Sequence, residues 1–268
     1  KVIEIVLSNK EKHKYLSENF INALEMFVFD YKDTSITFDI NTYDNDDDLN
    51  YIFKTKNTPG KIFIGPLTSN ETKTRKKYCN DDIIIFSFAS DRTLAGECIY
   101  LFNFFIEDDL RAIFNFLDAS SKIALLFPNN KYGKYVSSNI DTFAANSKST
   151  LIYKLSYKED LSDARLIIKQ LGKYEYRKKE LERQKKLLIN KSDEISLLAL
   201  KKLEKFETIG NLDFNYLIIS DGNIRMLELV PLLPFYDIDP NHIKFIGTGL
   251  WDEPSFFDEP SLQGAIFP

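Results

Sequence analysis

The chain has 268 residues, of which 44% are hydrophobic and 28% are charged. That length suits one large domain or two smaller ones, and that composition is typical of a soluble globular protein. The net charge of −5 gives no overall case for nucleic-acid binding. The sequence contains no apolar run of about 18 residues, so it predicts no transmembrane helix.

The sequence gives limited information about the cellular compartment. The chain opens at Lys1 with strand-like residues and shows no hydrophobic signal-peptide segment, so we expect a mature form from which any signal has been removed. Cys79 and Cys98 flank the apolar run Ile83–Phe86. They predict a disulfide in an oxidising compartment and two free thiols otherwise, and both remain open. Two cysteines and two histidines without paired spacing argue against a zinc site.

Apolar runs of strand length alternate with segments of helical periodicity along the chain. The predicted strands are Val2–Leu7, Ile36–Ile40, Lys61–Ile64, Ile83–Phe86, Ile99–Phe102, Ile123–Phe127, Leu151–Leu155, Phe214–Ile219 and Ile243–Ile246. The predicted helices are 12–30, 69–79, 107–118, 131–145 and 222–230, with another beginning near Asp44–Asp48 and a long helical region after Leu155. Apolar residues at helical spacing predict a core-facing side of the first helix, formed by Leu16, Phe20, Ala23, Leu24, Phe27 and Val28.

Alternation of strands and helices gives a parallel sheet with helices on both faces. Strands that are apolar throughout are typical of buried parallel strands. We therefore predict a doubly wound α/β fold. A natural break near Phe105 and Ile106 divides the chain into two lobes of similar build, 1–105 and 106–268.

Residues 173–208 interrupt this rhythm because they are too long and too charged for a crossover helix. They contain eleven Lys or Arg against seven Asp or Glu. Asn190-Lys191-Ser192 breaks the helical pattern, and Ser192 is predicted to begin a second helix. The segment predicts a helical hairpin inserted in the second lobe, with one side lined by Leu181, Leu187, Leu188, Ile195, Leu198 and Phe206. It is either a solvated insertion or a docking arm for an acidic partner surface.

Small polar or turn-forming residues follow five of the predicted strands. In an open parallel sheet, ligands bind beyond the carboxyl ends of the strands, where hydroxyls and helix N-terminal amides can hold an anion. The candidates are Thr68, Ser69, Ser87, Ala89 and Ser90 in the first lobe, and Tyr132, Asp221 and Trp251 in the second. The pattern predicts a binding cleft without catalysis, since it holds no activated nucleophile or acid–base pair. We therefore expect no enzymatic activity and no cofactor.

Several of these residues also have a purely structural interpretation. Thr68-x-x-Glu71 is a capping box, and Ser220 or Asp221 is placed to cap the next helix. The basic residues 73–77 are expected on the exposed face and last turn of a helix. No glycine-rich phosphate loop occurs, and the acidic stretch Asp44–Asp48 is not followed by the glycine and glutamate of a calcium loop.

The loops resemble those of type I periplasmic binding proteins. The segment 62–71, together with Ser87–Arg92 and Ala95-Gly96, resembles their first lobe. Pro128–Gly133 resembles the loop that opens their second lobe. The resemblance implies a two-lobed fold, each lobe a doubly wound sheet, with a return segment after Pro268 that completes the first lobe.

Within that fold, the chain is most similar to the penicillin-binding protein activators of alphaproteobacteria, lipoproteins that activate peptidoglycan synthases. The similarity lies in Ser87–Arg92, in the insertion with Tyr174–Lys178, in Pro231–Tyr236 and in Gly247–Pro254. The segment after Asp48 is shorter than in those proteins. The similarity implies a periplasmic protein, held at the membrane by a lipid outside this chain, that stimulates a bifunctional penicillin-binding protein.

The alternative is an extracellular solute-binding protein of an ABC transporter, which binds amino acids or similar small ligands and serves a membrane permease. The loop hydroxyls of the first lobe would then hold the anionic end of the ligand, and Asp221 would pair with an ammonium group. The bulky side chains of Leu67 and Phe88 in the loops argue against this alternative.

Overall fold

A computed structural model describes residues 1–31, 35–80 and 82–268. They form two compact units, Lys1–Phe105 and Ile106–Pro268, each with its own parallel sheet. The doubly wound α/β class predicted from the sequence is confirmed. None of the described helices has the length and apolarity needed to cross a membrane.

The first unit contains a five-stranded sheet in the order β2-β1-β3-β4-β5, and all its paired strands are parallel. Its strands are β1 (Val2–Ser8), β2 (Thr37–Tyr43), β3 (Ile62–Ile64), β4 (Ile84–Ser87) and β5 (Ile99–Leu101). Its helices are α1 (Glu11–Asp30), α2 (Asp46–Lys56) and α3 (Ser69–Lys73), followed by 3₁₀ turns at Lys76–Tyr78 and Arg92–Leu94.

Helix α2 supplies one side of the first unit's core. Its buried side chains Leu49, Ile52 and Phe53 pack against the sheet, and the rings of Phe53 and Phe63 stack with centroids 4.6 Å apart. The side chain of Asn45 caps the helix by accepting hydrogen bonds from two backbone amides of the first turn. Acidic residues in that turn and lysines in the last turn complement the helix dipole.

The structure of helix α1 corrects the prediction that its apolar side faces the core. Ser17 is its only buried residue in the described structure, and the Ser17 hydroxyl donates to the carbonyl oxygen of Ser8 at 2.7 Å. Leu16, Phe27 and Val28 are about half exposed. Helical periodicity identified an apolar side of the helix correctly, but it could not tell whether that side is covered.

One strand of the first unit departs from the expected uniform apolarity. Glu4 of β1 is 2% exposed, and its carboxylate accepts hydrogen bonds from Lys61 Nζ at 2.5 Å, Lys56 Nζ at 3.0 Å and Asn41 Nδ2 at 3.0 Å. Burial is the largest influence on the pKa of Glu4 and raises it, but these three donors outweigh burial and lower the pKa to about 2.

The segment predicted as one helix, 69–79, is broken. Helix α3 ends at Lys73, and a separate 3₁₀ turn follows it. Arg75 was expected on an exposed face but is 1% exposed, with its guanidinium carbon 5.4 Å from the ring centroid of Phe53 and 5.5 Å from that of Tyr78. A guanidinium can stack on aromatic rings in a core, which a run of basic residues does not reveal.

The second unit contains a four-stranded parallel sheet in the order β7-β6-β8-β9. Its strands are β6 (Lys122–Pro128), β7 (Thr150–Tyr157), β8 (Tyr216–Ile219) and β9 (Lys244–Gly247). Its helices are α4 (Ile106–Phe116), α5 (Lys131–Ser147), α6 (Ala164–Leu171), α7 (Tyr174–Leu188), α8 (Glu194–Leu203), α9 (Asn223–Leu229), α10 (Leu232–Phe235) and α11 (Pro254–Phe257). Two 3₁₀ turns lie at Gly249–Trp251 and Pro260–Leu262.

The second sheet is covered on both faces. Alternate residues of β6 point to opposite cores: Ile123 and Leu125 pack with α4 and α5, whereas Ala124 and Leu126 pack with α6, α9 and Trp251. This alternation is what a doubly wound sheet requires.

Helices α7 and α8 form the predicted hairpin, but its ends and surface differ from the prediction. Asp193, not Ser192, caps α8, and its Oδ2 accepts from the backbone amide of Ser196 at 2.9 Å. Leu181 is buried as expected. Four of the residues expected to line the same side are 47% to 81% exposed: Leu187, Ile195, Leu198 and Phe206.

The hairpin is also joined firmly to the second unit at its base. Tyr174 belongs to the core cluster of that unit. Arg177 is 7% exposed, and its guanidinium donates to the carbonyl oxygens of Gly172 at 2.8 Å and Asp237 at 3.1 Å. The base of the hairpin, at Tyr174 and Arg177, is therefore part of the packing of the second unit.

Candidate functional site

The loops after the strands of the first unit hold the first group of predicted binding residues. Thr68 is the N-cap that its sequence indicates: its hydroxyl accepts from the backbone amide of Glu71 and donates to Glu71 Oε2 at 2.6 Å. Lys10 Nζ also donates to Glu71, at 3.1 Å. Burial is the largest influence on the pKa of Glu71 and raises it, but these donors lower it overall. The Thr68 hydroxyl is therefore engaged within the fold.

Ser69 and Ser90 lie side by side in neighbouring loops. The Ser69 hydroxyl accepts from the backbone amides of Ser90 at 3.1 Å and Asp91 at 3.2 Å. These two amides are the kind of donor that would hold an anion, and here a side chain occupies both. Ser90 itself is exposed, and its hydroxyl lies 3.4 Å from that of Ser69.

Ser87 and Ala89 are both fully buried. The Ser87 hydroxyl accepts from the backbone amide of Ala89 at 3.1 Å, donates to the carbonyl oxygen of Pro66 at 3.1 Å and lies 2.6 Å from Thr72 Oγ1. This hydroxyl therefore organises the loop from inside. Of the five first-unit candidates, Ser90 is the one whose side chain faces solvent.

An apolar groove of about 910 Å³ lies beside these loops. Its volume is within the usual range for small-molecule sites. The rings of Phe20 and Phe88 meet edge to face, with centroids 5.6 Å apart. The lining residues are Leu16, Asn19, Phe20, Leu67, Phe88, Leu101, Phe102, Asn103 and Phe104, none of which is charged. The groove thus offers apolar contact and two amide side chains.

In the second unit, Asp221 follows β8 and is the centre of a buried polar cluster. Its carboxylate accepts from Arg225 Nε at 2.8 Å, from Arg225 Nη2 at 2.9 Å and from the backbone amide of Gly222 at 2.8 Å, and also from the Tyr157 hydroxyl. Arg225 Nη1 donates to Glu159 at 3.1 Å. Burial and the nearby carboxylate of Asp221 raise the pKa of Tyr157. Asp221 is therefore already paired with a guanidinium of its own chain, and its expected pairing with a ligand's ammonium group stays a prediction.

Asp221 does not cap helix α9 with its side chain either. The N-cap of α9 is Gly222, which has no side chain to contribute. Ser220, the other expected cap, is fully buried.

The other two second-unit candidates also have partners within the fold. Trp251 is 2% exposed, and its indole Nε1 donates to the carbonyl oxygen of Asp221 at 3.0 Å. The Tyr132 hydroxyl lies 2.9 Å from Thr248 Oγ1, and burial raises the pKa of Tyr132 to about 12. Asp109 accepts from the backbone amide of Gly249 at 2.8 Å. The contact of Asp221, Tyr132 and Trp251 with a ligand stays a prediction.

Sequence reasoning missed two sets of residues at these loops. Phe102 and Phe104 line the groove, and the aromatic-rich run that follows β5 was a signal for exposed apolar surface. Arg225 lies four residues after Asp221, and this spacing is typical of an ion pair along a helix. Helical periodicity predicts that Leu16 and Phe20 face a core, whereas both line the groove.

Cys79 and Cys98 form a disulfide beside β5, with their Cα atoms 5.3 Å apart. Their sequence separation is 19 residues. The disulfide ties the segment after the first 3₁₀ turn to the segment that enters β5. It therefore fixes the edge of the sheet next to the groove-lining residues Leu101–Phe104.

The sequence matches no protein-family model and no curated protein. The fold, in contrast, is similar to many solved structures. One is an ABC-type branched-chain amino acid transporter protein from Rhodopseudomonas palustris, with a TM-score of 0.55 and 12% identity over 92% of this chain and 62% of that one. A solute-binding protein of an ABC transporter from R. palustris, in complex with 4-hydroxybenzoate, gives a TM-score of 0.54 and 9% identity over 96% of this chain and 66% of that one.

An extracellular ligand-binding receptor from R. palustris gives a TM-score of 0.51 and 12% identity over 99% of this chain and 66% of that one. The chain thus spans just under two thirds of the length of these proteins. The fold is that of type I periplasmic binding proteins. At such low identity the similarity extends to the fold alone.

Proposed function

We infer that this chain belongs to a non-enzymatic solute-binding protein that holds a small organic ligand with an aromatic or branched aliphatic body. The groove carries this inference. It lies at the carboxyl ends of the first unit's strands, where open parallel sheets bind ligands. Its apolar lining and two asparagines match the usual composition of a small-molecule site.

The ligand class follows from the side chains that remain available. The hydroxyls of Thr68, Ser69 and Ser87 are engaged by the fold, so they are poorly placed to hold an anion as their main function. Phe88, which argued against a ligand when read from sequence, becomes a contact surface once it lines a groove. Apolar burial is then the main source of affinity.

The proposed setting is the periplasm or cell exterior, with a membrane permease as the recipient of the ligand. Two observations support it. Disulfides such as Cys79–Cys98 persist in oxidising compartments. The fold neighbours include a solute-binding protein and an extracellular ligand-binding receptor. The lipid anchor and the return segment after Pro268, both implied by the resemblance, stay predictions.

Ligand-induced thermal stabilisation tests the proposal. The panel contains aromatic carboxylates, branched-chain amino acids and, for comparison, strongly polar amino acids. A ligand at a hundred times its dissociation constant adds about 2.7 kcal/mol to the free energy of unfolding. Phe88→Ala should weaken binding of the active compound at least about tenfold. Phe29→Ala, at an 87% exposed position outside the groove lining, is the matched control and should leave binding unchanged. Equal effects of the two substitutions, or no stabilisation by any apolar compound, would reject the groove as the site.

A second candidate is the regulator of a peptidoglycan synthase. The observation that favours it is the internal engagement of the predicted ligand groups, with Asp221 held by Arg225 and the Ser69 hydroxyl held by backbone amides. A regulator needs no free polar site in these loops. Its test is the rate of glycan polymerisation by a purified bifunctional penicillin-binding protein, with and without this protein. An unchanged rate at saturating protein would dismiss this candidate.

A further inference from the structure

The outer part of the α7–α8 hairpin, residues 182–203, exposes apolar side chains that the hairpin's own packing does not use. Helix α8 has two apolar sides. The first contains Ser196, Ala199, Leu200 and Leu203, which are buried or half-buried where α8 packs with α7. The second contains Ile195 and Leu198, which are 81% and 62% exposed. A helix that is apolar on two sides normally has a partner on each.

The hairpin tip carries two more exposed aliphatic residues. Leu187 is 58% exposed near the end of α7, and Ile189 is 66% exposed in the connection to α8. The exposed residues Leu187, Ile189, Ile195 and Leu198 are called the apolar tip below. Several exposed aliphatic residues within one short stretch of sequence favour a surface that contacts something else.

Residues 182–203, which contain the apolar tip, are also rich in basic side chains. Residues 182–203 contain six Lys or Arg and three Asp or Glu, whereas the whole chain has a net charge of −5. Lys186, Lys191, Lys201 and Lys202 are exposed and form no ion pair within the described chain. Lys202 lies on the same side of α8 as Ile195 and Leu198, at spacings of seven and four residues. The surface is therefore apolar and cationic together.

Two kinds of partner would suit a surface that is both apolar and cationic: another protein, or an anionic lipid bilayer. The residue types distinguish between them. Protein interfaces are enriched in aromatic residues and arginine and depleted in lysine. Residues 182–203 contain no aromatic residue, and five of their six basic residues are lysines. Aliphatic side chains flanked by lysines are typical of segments that lie in the interface of an anionic bilayer, because lysine can extend its ammonium group to the lipid headgroups.

We propose that the apolar tip and its lysines bind the surface of an anionic phospholipid bilayer and so hold the protein against a membrane. The aliphatic side chains enter the boundary between headgroups and acyl chains, and the ammonium groups contact the phosphates. Each lysine near such a surface contributes a similar amount to the free energy of binding, and salt weakens this electrostatic contribution. The proposal is independent of whether the groove binds a ligand.

Flotation of the purified 268-residue chain with vesicles tests the proposal. One vesicle preparation contains phosphatidylglycerol and phosphatidylcholine in equal amounts, and the other contains phosphatidylcholine alone. The chain should float with the anionic vesicles, bind the neutral ones at least about tenfold more weakly, and be released by salt of about 0.5 M.

Two sets of variants identify the responsible surface. Lys186→Glu/Lys191→Glu/Lys202→Glu should reduce the anionic-vesicle partition coefficient by at least about tenfold. Its control, Lys12→Glu/Lys14→Glu/Lys134→Glu, makes the same change of net charge at exposed positions outside the hairpin and should leave binding largely intact.

The apolar contribution has its own pair of variants. Ile195→Ser/Leu198→Ser should also weaken binding at least about tenfold, whereas Leu166→Ser/Ile224→Ser, at positions 67% and 75% exposed elsewhere in the second unit, should not. Circular dichroism confirms that each variant is folded. Failure of the folded wild-type chain to float with anionic vesicles overturns the proposal, as does equal loss in a control variant. Binding to immobilised polyglutamate without vesicle binding would also overturn it and would assign the surface to an acidic protein.

Discussion

Replacement of Arg225 by methionine tests whether the buried cluster around Asp221 is a structural element of the second unit. Methionine keeps much of the aliphatic length and removes the guanidinium. Asp221 would retain its bonds from Tyr157 and Gly222 but lose both charged donors, which now lie at 2.8 and 2.9 Å. A charge-assisted hydrogen bond contributes about 1.5–3 kcal/mol.

Loss of both bonds would therefore lower the free energy of unfolding by about 3–6 kcal/mol. Arg225 is 25% exposed, so solvent screening favours the lower end, about 3 kcal/mol. The same figure is expected when one partner of a buried pair is removed. For a unit of this size, it corresponds to a fall in Tm of about 6–12 °C.

Trp251 gives a probe that is specific to the second unit. It is the one tryptophan in the chain, it is buried, and its indole donates to the backbone of Asp221 itself. Thermal and urea unfolding followed by its fluorescence should report the loss directly. Arg183→Met is the control, since Arg183 is 61% exposed and pairs with Glu180 along one helix. That change should cost under about 0.5 kcal/mol. A loss below about 1 kcal/mol for Arg225→Met would refute the structural interpretation and would leave Asp221 available to a ligand.

Three further predictions concern the first unit. Because the pKa of Glu4 is lowered to about 2, its ionised form stabilises the fold above about pH 4.5, and this contribution should vanish as the pH falls toward 2. The free energy of unfolding should therefore depend less on pH in Glu4→Gln. An equal pH dependence in the two proteins would contradict a role for the ionised Glu4 carboxylate. Reduction of Cys79–Cys98 should cost about 3 kcal/mol, measured by near-ultraviolet circular dichroism with and without reductant, and a change below about 0.5 kcal/mol would count against it. Thr68→Ala should cost about 1–2 kcal/mol by urea unfolding while Thr68→Ser costs far less; loss of ligand affinity without loss of stability would instead make Thr68 a ligand contact.

The sequence predicted the elements that depend on local pattern. Short apolar runs such as Ile123–Phe127 became strands because both faces of the second sheet are covered by helices. The N-cap at Thr68 was predicted for the same reason, since its partner Glu71 lies within one helical turn. Both patterns can be recognised within a few consecutive residues.

Features that depend on distant residues were missed. The burial of Arg75 depends on the rings of Phe53 and Tyr78, and the first of these lies on another helix. The role of Ser87 depends on the loop that contains Pro66. A hydroxyl at a strand end has the same sequence signal whether it faces a ligand or a neighbouring loop.

The apolar sides of α1 and α8 illustrate another feature that sequence periodicity does not predict, namely whether an apolar side of a helix is covered. Periodicity identified both, yet it cannot show whether a helix side meets the core, another molecule or solvent. Leu16 and Ile195 are both more than half exposed. Exposure of this kind is visible only after the chain has folded, and it is the reason that the groove and the apolar tip had to be found in the structure.

The composition of the groove has a consequence for how the protein would rank related compounds. A site built to hydrogen-bond a substrate rejects an analogue that lacks the bonding group by several orders of magnitude, because its own buried polar groups are then unpaired. In the first unit, the Ser69 and Ser87 hydroxyls are already satisfied, so the absence of a ligand hydroxyl leaves them undisturbed. Affinity should therefore change gradually along a homologous series, by about 1–3 kcal/mol for each methylene. A site of this kind would bind several members of one chemical class, with affinities ordered by the apolar area that each one buries.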